Sequence, residues 1–224
     1  MIKTDDIFDD FSNMSALWVD DTISESCDLA RVSDFIVNKN ISVVSLPVSG
    51  TEQIWPWIEK QKVRIFNRLN IELDENIDAT ISSVARKITE SFRCGANGIQ
   101  IMIEPKDLQS FVNSIIPIKN DLFFDRDLVI GMDVNKICTS DWSGVFNLLN
   151  QIQSNAILIN VPGDKFDASS DFIGRIYAMF ENWNFDGELH LMFGKNMMRY
   201  SQVLRLAQKM RPAVATKILA FMQY

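Results

Sequence analysis

Residues 98–103 read GIQIMI, residues 128–134 read LVIGMDV and residues 156–162 read AILINVP. Each run is short, rich in β-branched residues and almost continuously apolar, the pattern of a strand buried on both faces. Between the first two, Leu108, Phe111, Val112 and Ile115 recur at helical spacing, and between the second and third Trp142, Val145, Leu149 and Ile152 do the same. Strand, amphipathic helix, strand is the repeating unit of a parallel sheet.

The same alternation extends outward in both directions. Further strand-like runs are Ala16–Ile23, Ile41–Val48, Lys62–Ile71, Glu188–Gly194 and Ala213–Phe221. Helical stripes fall at Leu29/Val32/Ile36, Ile77/Ile81/Val84/Ile88/Phe92, Phe172/Ile173/Ile176/Phe180 and Tyr200/Val203/Ala207/Met210. Ser140 with Asp141, and Ser169 and Ser170 with Asp171, stand where side-chain oxygens would cap the first turn of a helix. Successive strand starts lie roughly 20–35 residues apart, the length of a βα unit. Right-handed crossovers allow a closed barrel or an open doubly wound sheet. Eight units favour the barrel, and no Gly-x-Gly-x-x-Gly or Walker-type loop follows any strand. The fold expected is therefore α/β, a single (βα)8 TIM-type barrel domain over residues 1–224, with its last βα unit either complete or cut short. Arg211–Tyr224 reads either as the eighth strand or as a helix replacing it, and Thr4–Met14 as a short helix closing the bottom of the barrel or covering the gap.

With 224 residues, 47% of them hydrophobic, the chain can bury a sizeable core. Its net charge of −7 argues against nucleic acid or an anionic membrane as partner, because both are held by clustered Lys and Arg. Cys27, Cys94 and Cys138 are scattered, with no CxxC, so reduced and mostly buried thiols are expected rather than a disulfide framework or zinc site. The start MIKTDDIFDDF lacks the basic and apolar regions of a secretory signal, and no apolar run reaches membrane-spanning length. These absences point to a cytoplasmic protein. No motif calls for a cofactor.

In such a barrel, chemistry sits at the C-terminal ends of the strands. The polar residues there are Asp20, Asp21 and Thr22 on strand one; Asn67, Arg68 and Asn70 on strand three; Gln100 and Glu104 on strand four; Asp133 and Asn135 on strand five; and Asn160 on strand six. His190 and Lys195 follow on strand seven and Lys217 in the last run. Asp20 with Asp133 would supply paired carboxylates for proton transfer or a divalent ion, although Asp also ends strands because it suits turns. His190, the sole histidine, reads as a catalyst or as a hydrogen-bonded core residue. Lys217, flanked by apolar residues, reads as a desolvated imine-forming nucleophile or as a surface lysine lying along apolar area. Thr22, Asn67, Gln100, Asn160 and Lys195 are the candidate substrate-binding residues. Trp55 and Trp57 line a rim cleft or pack a short helix against the barrel.

Val19-Asp20-Asp21-Thr22 and Gly95-Ala96-Asn97-Gly98-Ile99-Gln100-Ile101-Met102-Ile103 resemble the first-strand and fourth-unit motifs of the deoxyribose-phosphate aldolase family, class I aldolases on a (βα)8 barrel. The likeness implies a lyase acting on a small carbonyl or phosphorylated substrate. It also implies gaps: the imine-forming lysine of strand six aligns with Ile159, the activating lysine of strand seven with His190, and the strand-four aspartate with Gln100. The paired phosphate-binding glycines reduce to Gly194 followed by Lys195. Three readings follow. The chain is a divergent aldolase-like lyase using Lys217, with Lys195 near a substrate phosphate. Alternatively it is a catalytically degenerate barrel serving as a binding or regulatory protein, able to form a homo-oligomer. The third reading is a barrel enzyme using Asp20, Glu104 and Asp133 around a metal.

Overall fold

A computed structural model describes residues 16–20, 26–73, 77–160, 170–193 and 197–224. Eight parallel strands close into a barrel in sequence order. They are β1 (Ala16–Trp18), β2 (Val43–Pro47), β3 (Arg64–Ile71), β4 (Gly98–Ile103), β5 (Asp127–Asp133), β6 (Ala156–Asn160), β7 (Glu188–Met192) and β8 (Ile218–Gln223). The helices between them are α1 (Ser26–Asn38), α2 (Val48–Ile58), α3 (Ile77–Arg93), α4 (Leu108–Leu122), α5 (Trp142–Gln151), α6 (Ser170–Glu181), α7 (Met197–Met210) and the short α8 (Pro212–Ala215). Arg211–Tyr224 thus contains a true eighth strand. It starts later than the apolar run suggested, because Pro212 opens a helical turn first. β8 pairs with β7 on one side and with β1 on the other, Phe221 opposite Ala16 and Gln223 opposite Trp18. The region 4–14 lies outside the described residues.

Strand alternation sorts the side chains into two cores. Outward residues such as Leu17, Val44, Ile65, Ile99, Ile101, Ile130, Ile157, Ile159 and Leu191 pack under the helices. Ala16, Val43, Phe66, Val129, Ala156, Leu158 and Phe221 fill the lumen, with Trp18, Met102, Met192 and Leu219 against them. The helices bury the stripes expected of them: Ile81, Val84 and Ile88 of α3 and Phe111, Val112 and Ile115 of α4 are all buried. Two local expectations fail. Asp141 sits at the N-cap of α5 in a helical conformation with no side-chain cap bond, and Ser140 donates to Asp141 instead. Cys138 is exposed and Cys94 only half-buried, because both lie in loops beyond the ends of the packed elements. Trp55 packs its ring 3.2 Å from where a Gly95 side chain would begin and so fastens α2, while Trp57 is exposed.

Lumen packing depends on a missing side chain at Gly98, the first residue of β4. A Cβ there would stand 2.5 Å from Phe66 Cε1 and 2.9 Å from Asp127 Cβ on the two neighbouring strands. Gly98→Ala is therefore expected to destabilise the barrel by about 1–3 kcal/mol. Gly144→Ala in α5, where nothing lies within 4 Å, is expected to stabilise by up to about 1 kcal/mol. Thermal unfolding of the two variants checks this opposition in sign.

Candidate functional site

Polar side chains occur at three levels of the lumen. At the bottom, where the strands begin, Arg64, Asp127 and Glu188 open β3, β5 and β7. Arg64 forms an ion pair with Asp127 and lies 5.3 Å over the Phe66 ring. His190 is one inward step above Glu188, its Nε2 3.3 Å from the Glu188 carboxylate. The imidazole is almost wholly buried between the rings of Phe66 and Phe221, at 6.0 and 5.6 Å. Burial pushes its pKa below the ordinary histidine value, against the opposing pull of Glu188. Glu188 in turn is held below the usual carboxylate range, first by its hydrogen bond to His190. A neutral ring donating Nε2–H to an ionised carboxylate satisfies both shifts and leaves Nδ1 as a buried acceptor without a protein partner. His190 is thus a core residue of the barrel floor and not a group at the mouth.

Lys217 immediately precedes β8, so it too belongs to the bottom end, and it is exposed. It borders an open groove with Trp183, Phe185 and Arg211 and contributes to the field that lowers the pKa of Glu188. The expectation of an imine nucleophile at the mouth fails for Lys217 because the segment before it is a helical turn. The apolar run that suggested a desolvated lysine is split between that helix and the strand.

The middle level lies on β1 to β4. Arg68 points inward and is 7% exposed, with its guanidinium 4.1 Å from the centroid of the Trp18 ring. Its Nη1 donates to Ser45 O at 2.9 Å and to Ser45 Oγ at 3.0 Å, and its Nη2 donates to Val19 O. Ser45 Oγ donates onward to Gln100 Oε1 at 2.6 Å. Gln100 is fully buried, and its Nε2 has no protein partner. Asn67, adjacent to Arg68 in sequence, turns the other way: it donates to Thr51 Oγ1 of α2 and to Leu46 O, 3.4 Å away. It therefore holds a helix to the sheet and does not reach the lumen.

The third level is the mouth. A cleft of about 260 Å³ is lined by Asn70, Glu72, Met102, Glu104, Asp133 and Asn160 among others, at the C-terminal ends of β3 to β6. Asp133 and Asn160 are opposite each other in the β5–β6 register. Asp133 Oδ1 accepts from the Asn135 backbone N at 2.9 Å and from Asn135 Nδ2 at 3.1 Å. Arg175 of α6 secures the same turn from outside, its Nη1 donating to the Asn135 and Ile137 carbonyls at 2.9 and 2.6 Å. Lys136 pairs with Glu104 at the rim, and that carboxylate raises the lysine pKa. Asp20 stands on the β1 side, where Gln223 Nε2 donates to its Oδ2 at 2.9 Å. Asp20 follows β1 and Asp133 ends β5, four strands apart around the barrel, so they do not form a carboxylate pair. Among the described residues, no three of His, Cys, Asp and Glu converge as metal ligands. Thr22 and Lys195 lie outside the described residues.

The structure therefore joins Asp133, Asn160, Asn70 and Glu104 in one cleft and sets Gln100 deeper in the lumen. It separates Asn67, His190 and Lys217 from them. Ser45, Trp18 and Gln223 carried no motif. Arg68 could have been preferred to Asn67 by parity, since Asn67 alternates in step with Ile65, Leu69 and Ile71, an apolar face that belongs under helices.

As His190 is kept neutral by burial, the unfolded chain takes up a proton there that the folded chain refuses once the pH drops below about 6.5. Stability accordingly falls on acidification, with a slope of up to about 1.4 kcal/mol per pH unit from this group. Urea denaturation at about pH 7.5 and about pH 5.5 is expected to show a smaller loss for His190→Leu than for the parent chain. Glu188 adds its own loss only nearer the carboxylate range, because its pKa is lowered.

No family model matches the chain, and no curated protein matches it in sequence. Solved structures do match in fold. A Toxoplasma gondii ME49 protein provisionally named a deoxyribose-phosphate aldolase superposes with a TM-score of 0.70 at 10% identity, over 97% of this chain and 91% of its own. The deoxyribose phosphate aldolase of Aeropyrum pernix, described as tetrameric, gives 0.67 at 10% identity over 98% and 93%. An aldolase called QR15 gives 0.61 at 10% identity over 100% and 92%. In architecture the chain is a closed (βα)8 barrel resembling the deoxyribose-phosphate aldolases, a likeness of fold carried almost without sequence identity.

Proposed function

We propose that the chain is an aldolase-like barrel that binds a small carbonyl or sugar-phosphate molecule at its mouth without forming an imine from a strand lysine. The observation that carries this reading is the lining of the lumen: none of the eight strands contains a lysine, and β6 presents Leu158 and Asn160 inward. Imine formation needs a neutral amine beside the substrate carbonyl, with its pKa lowered by burial or by a neighbouring cation. Ile159, aligned with the family's lysine, is fully buried on the opposite side of β6, under the helices. Among the described residues, the mouth offers hydrogen-bonding groups. Asp133 and Glu104 accept from substrate hydroxyls, and Asn70 and Asn160 serve either hydroxyl or carbonyl oxygens. With no strand lysine to form the imine that takes up the electrons released when a carbon–carbon bond breaks, such a cleft favours binding over imine-type turnover.

Calorimetry and thermal shift with glycolaldehyde, glyceraldehyde and glyceraldehyde 3-phosphate test this directly. Binding is expected, weakened by roughly tenfold in Asp133→Asn or Asn160→Ala. Borohydride with the same panel is expected to leave no lysine adduct. An adduct that survives Lys217→Met would overturn the proposal in favour of a lyase whose amine comes from another lysine, Lys165 and Lys195 being candidates outside the described residues.

A further inference from the structure

We infer that Met102, folded over Gly131, is the specificity-determining floor of the mouth cleft and sets how far into the barrel the carbon end of a ligand reaches. The inference deepens the mouth-binding proposal and rests on it. Both residues line the cleft. The first support is the order of the inward positions. Met102 of β4 stands opposite Gly131 of β5, and Gly131 opposite Leu158 of β6. Two residues further along each chain segment come Glu104, Asp133 and Asn160, the hydrogen-bonding groups of the cleft. By strand alternation, an apolar tier therefore underlies a polar one. A bound molecule turns its hydroxyl or carbonyl end to the polar tier and its carbon end to the thioether.

The second support is the missing side chain at Gly131. A Cβ there would overlap Met102 Sδ and lie 2.9 Å from Met102 Cε and 3.3 Å from Leu158 Cδ2. The thioether thus fills the space that a side chain at 131 would take. Met102 is half-buried, lining the cleft while also packing against the lumen cluster that includes Val129, Leu158 and Phe221.

The third support is the chemistry of methionine. Its unbranched side chain fills irregular gaps and is held by packing alone. A ligand tail reaching further inward must displace the thioether from the gap at Gly131, because the two compete for one space. The cleft accordingly favours compact hydroxyaldehydes or hydroxyketones whose carbon end stops at Met102, and it disfavours the same head group on a long apolar tail.

Calorimetry on the full chain with glycolaldehyde and 2-hydroxyhexanal, which carries the same head on a butyl tail, tests the floor. The parent is expected to bind the two within about threefold of each other, although burying a tail is worth roughly fourfold per methylene. Met102→Ala is expected to bind 2-hydroxyhexanal at least about tenfold more tightly than glycolaldehyde. Gly131→Ala, which drives the thioether into the cleft, is expected to weaken glycolaldehyde by about tenfold or more, and adding Met102→Ala to it is expected to restore binding. Should Gly131→Ala alone not fold, the comparison of Met102→Ala with the parent decides. A parent that already prefers the long tail tenfold, or a Met102→Ala variant with the parent's preference, overturns the floor and leaves the mouth proposal standing. If neither these probes nor the rest of the aldehyde panel bind the parent or Met102→Ala, both are overturned.

Discussion

Everything in this molecule rests on the pairing of β8 with β1. β1 has only three residues, and each is placed opposite a β8 residue on one side and a β2 residue on the other. Without that seam the sheet would have two edges exposing unpaired backbone groups, and the inward face would have no opposite wall. Closure turns eight strands into a lumen in which Phe221 of β8 meets Trp18 of β1 at 6.2 Å and His190 of β7 at 5.6 Å. The backbone of Tyr224 adds a bond to Trp18 O at 2.9 Å beyond the last strand residue, extending the seam toward the mouth.

Given closure, the lumen's polarity follows a gradient. Its floor is a compensated set: Arg64 with Asp127, and Glu188 with a neutral His190. Its middle is apolar apart from the Ser45–Arg68–Gln100 group, and its upper end is rich in oxygen atoms. Burying a guanidinium is costly unless its donors and charge are met, and the partners of Arg68 include two backbone carbonyls, a hydroxyl and the face of an indole. A side chain set that firmly is part of the barrel wall.

The likeness to aldolases illustrates how little a (βα)8 scaffold commits a chain to one reaction. The strands set where a mouth will be, and a few inward positions set the chemistry. Among the inward strand positions of this chain are Asn160, Gln100 and Arg68, and none of the eight strands contains a lysine.

The sequence by itself determined the repeat. Runs such as GIQIMI and AILINVP are apolar on both faces, a property that is local and survives without knowledge of neighbours, so the βα units and the barrel were legible. It also marked Asp133 and Asn160, because a polar residue ending an apolar strand has only the mouth to occupy. Tertiary structure decided what one-dimensional pattern cannot hold. Asn67 and Arg68 differ in destination only through strand parity. Lys217 belongs to the floor because Pro212 starts a helical turn that moves the strand's beginning past it. Asp20 and Asp133, alike as strand-end carboxylates, stand apart because position around a closed barrel depends on the order of all eight strands, a global property carried by no single segment.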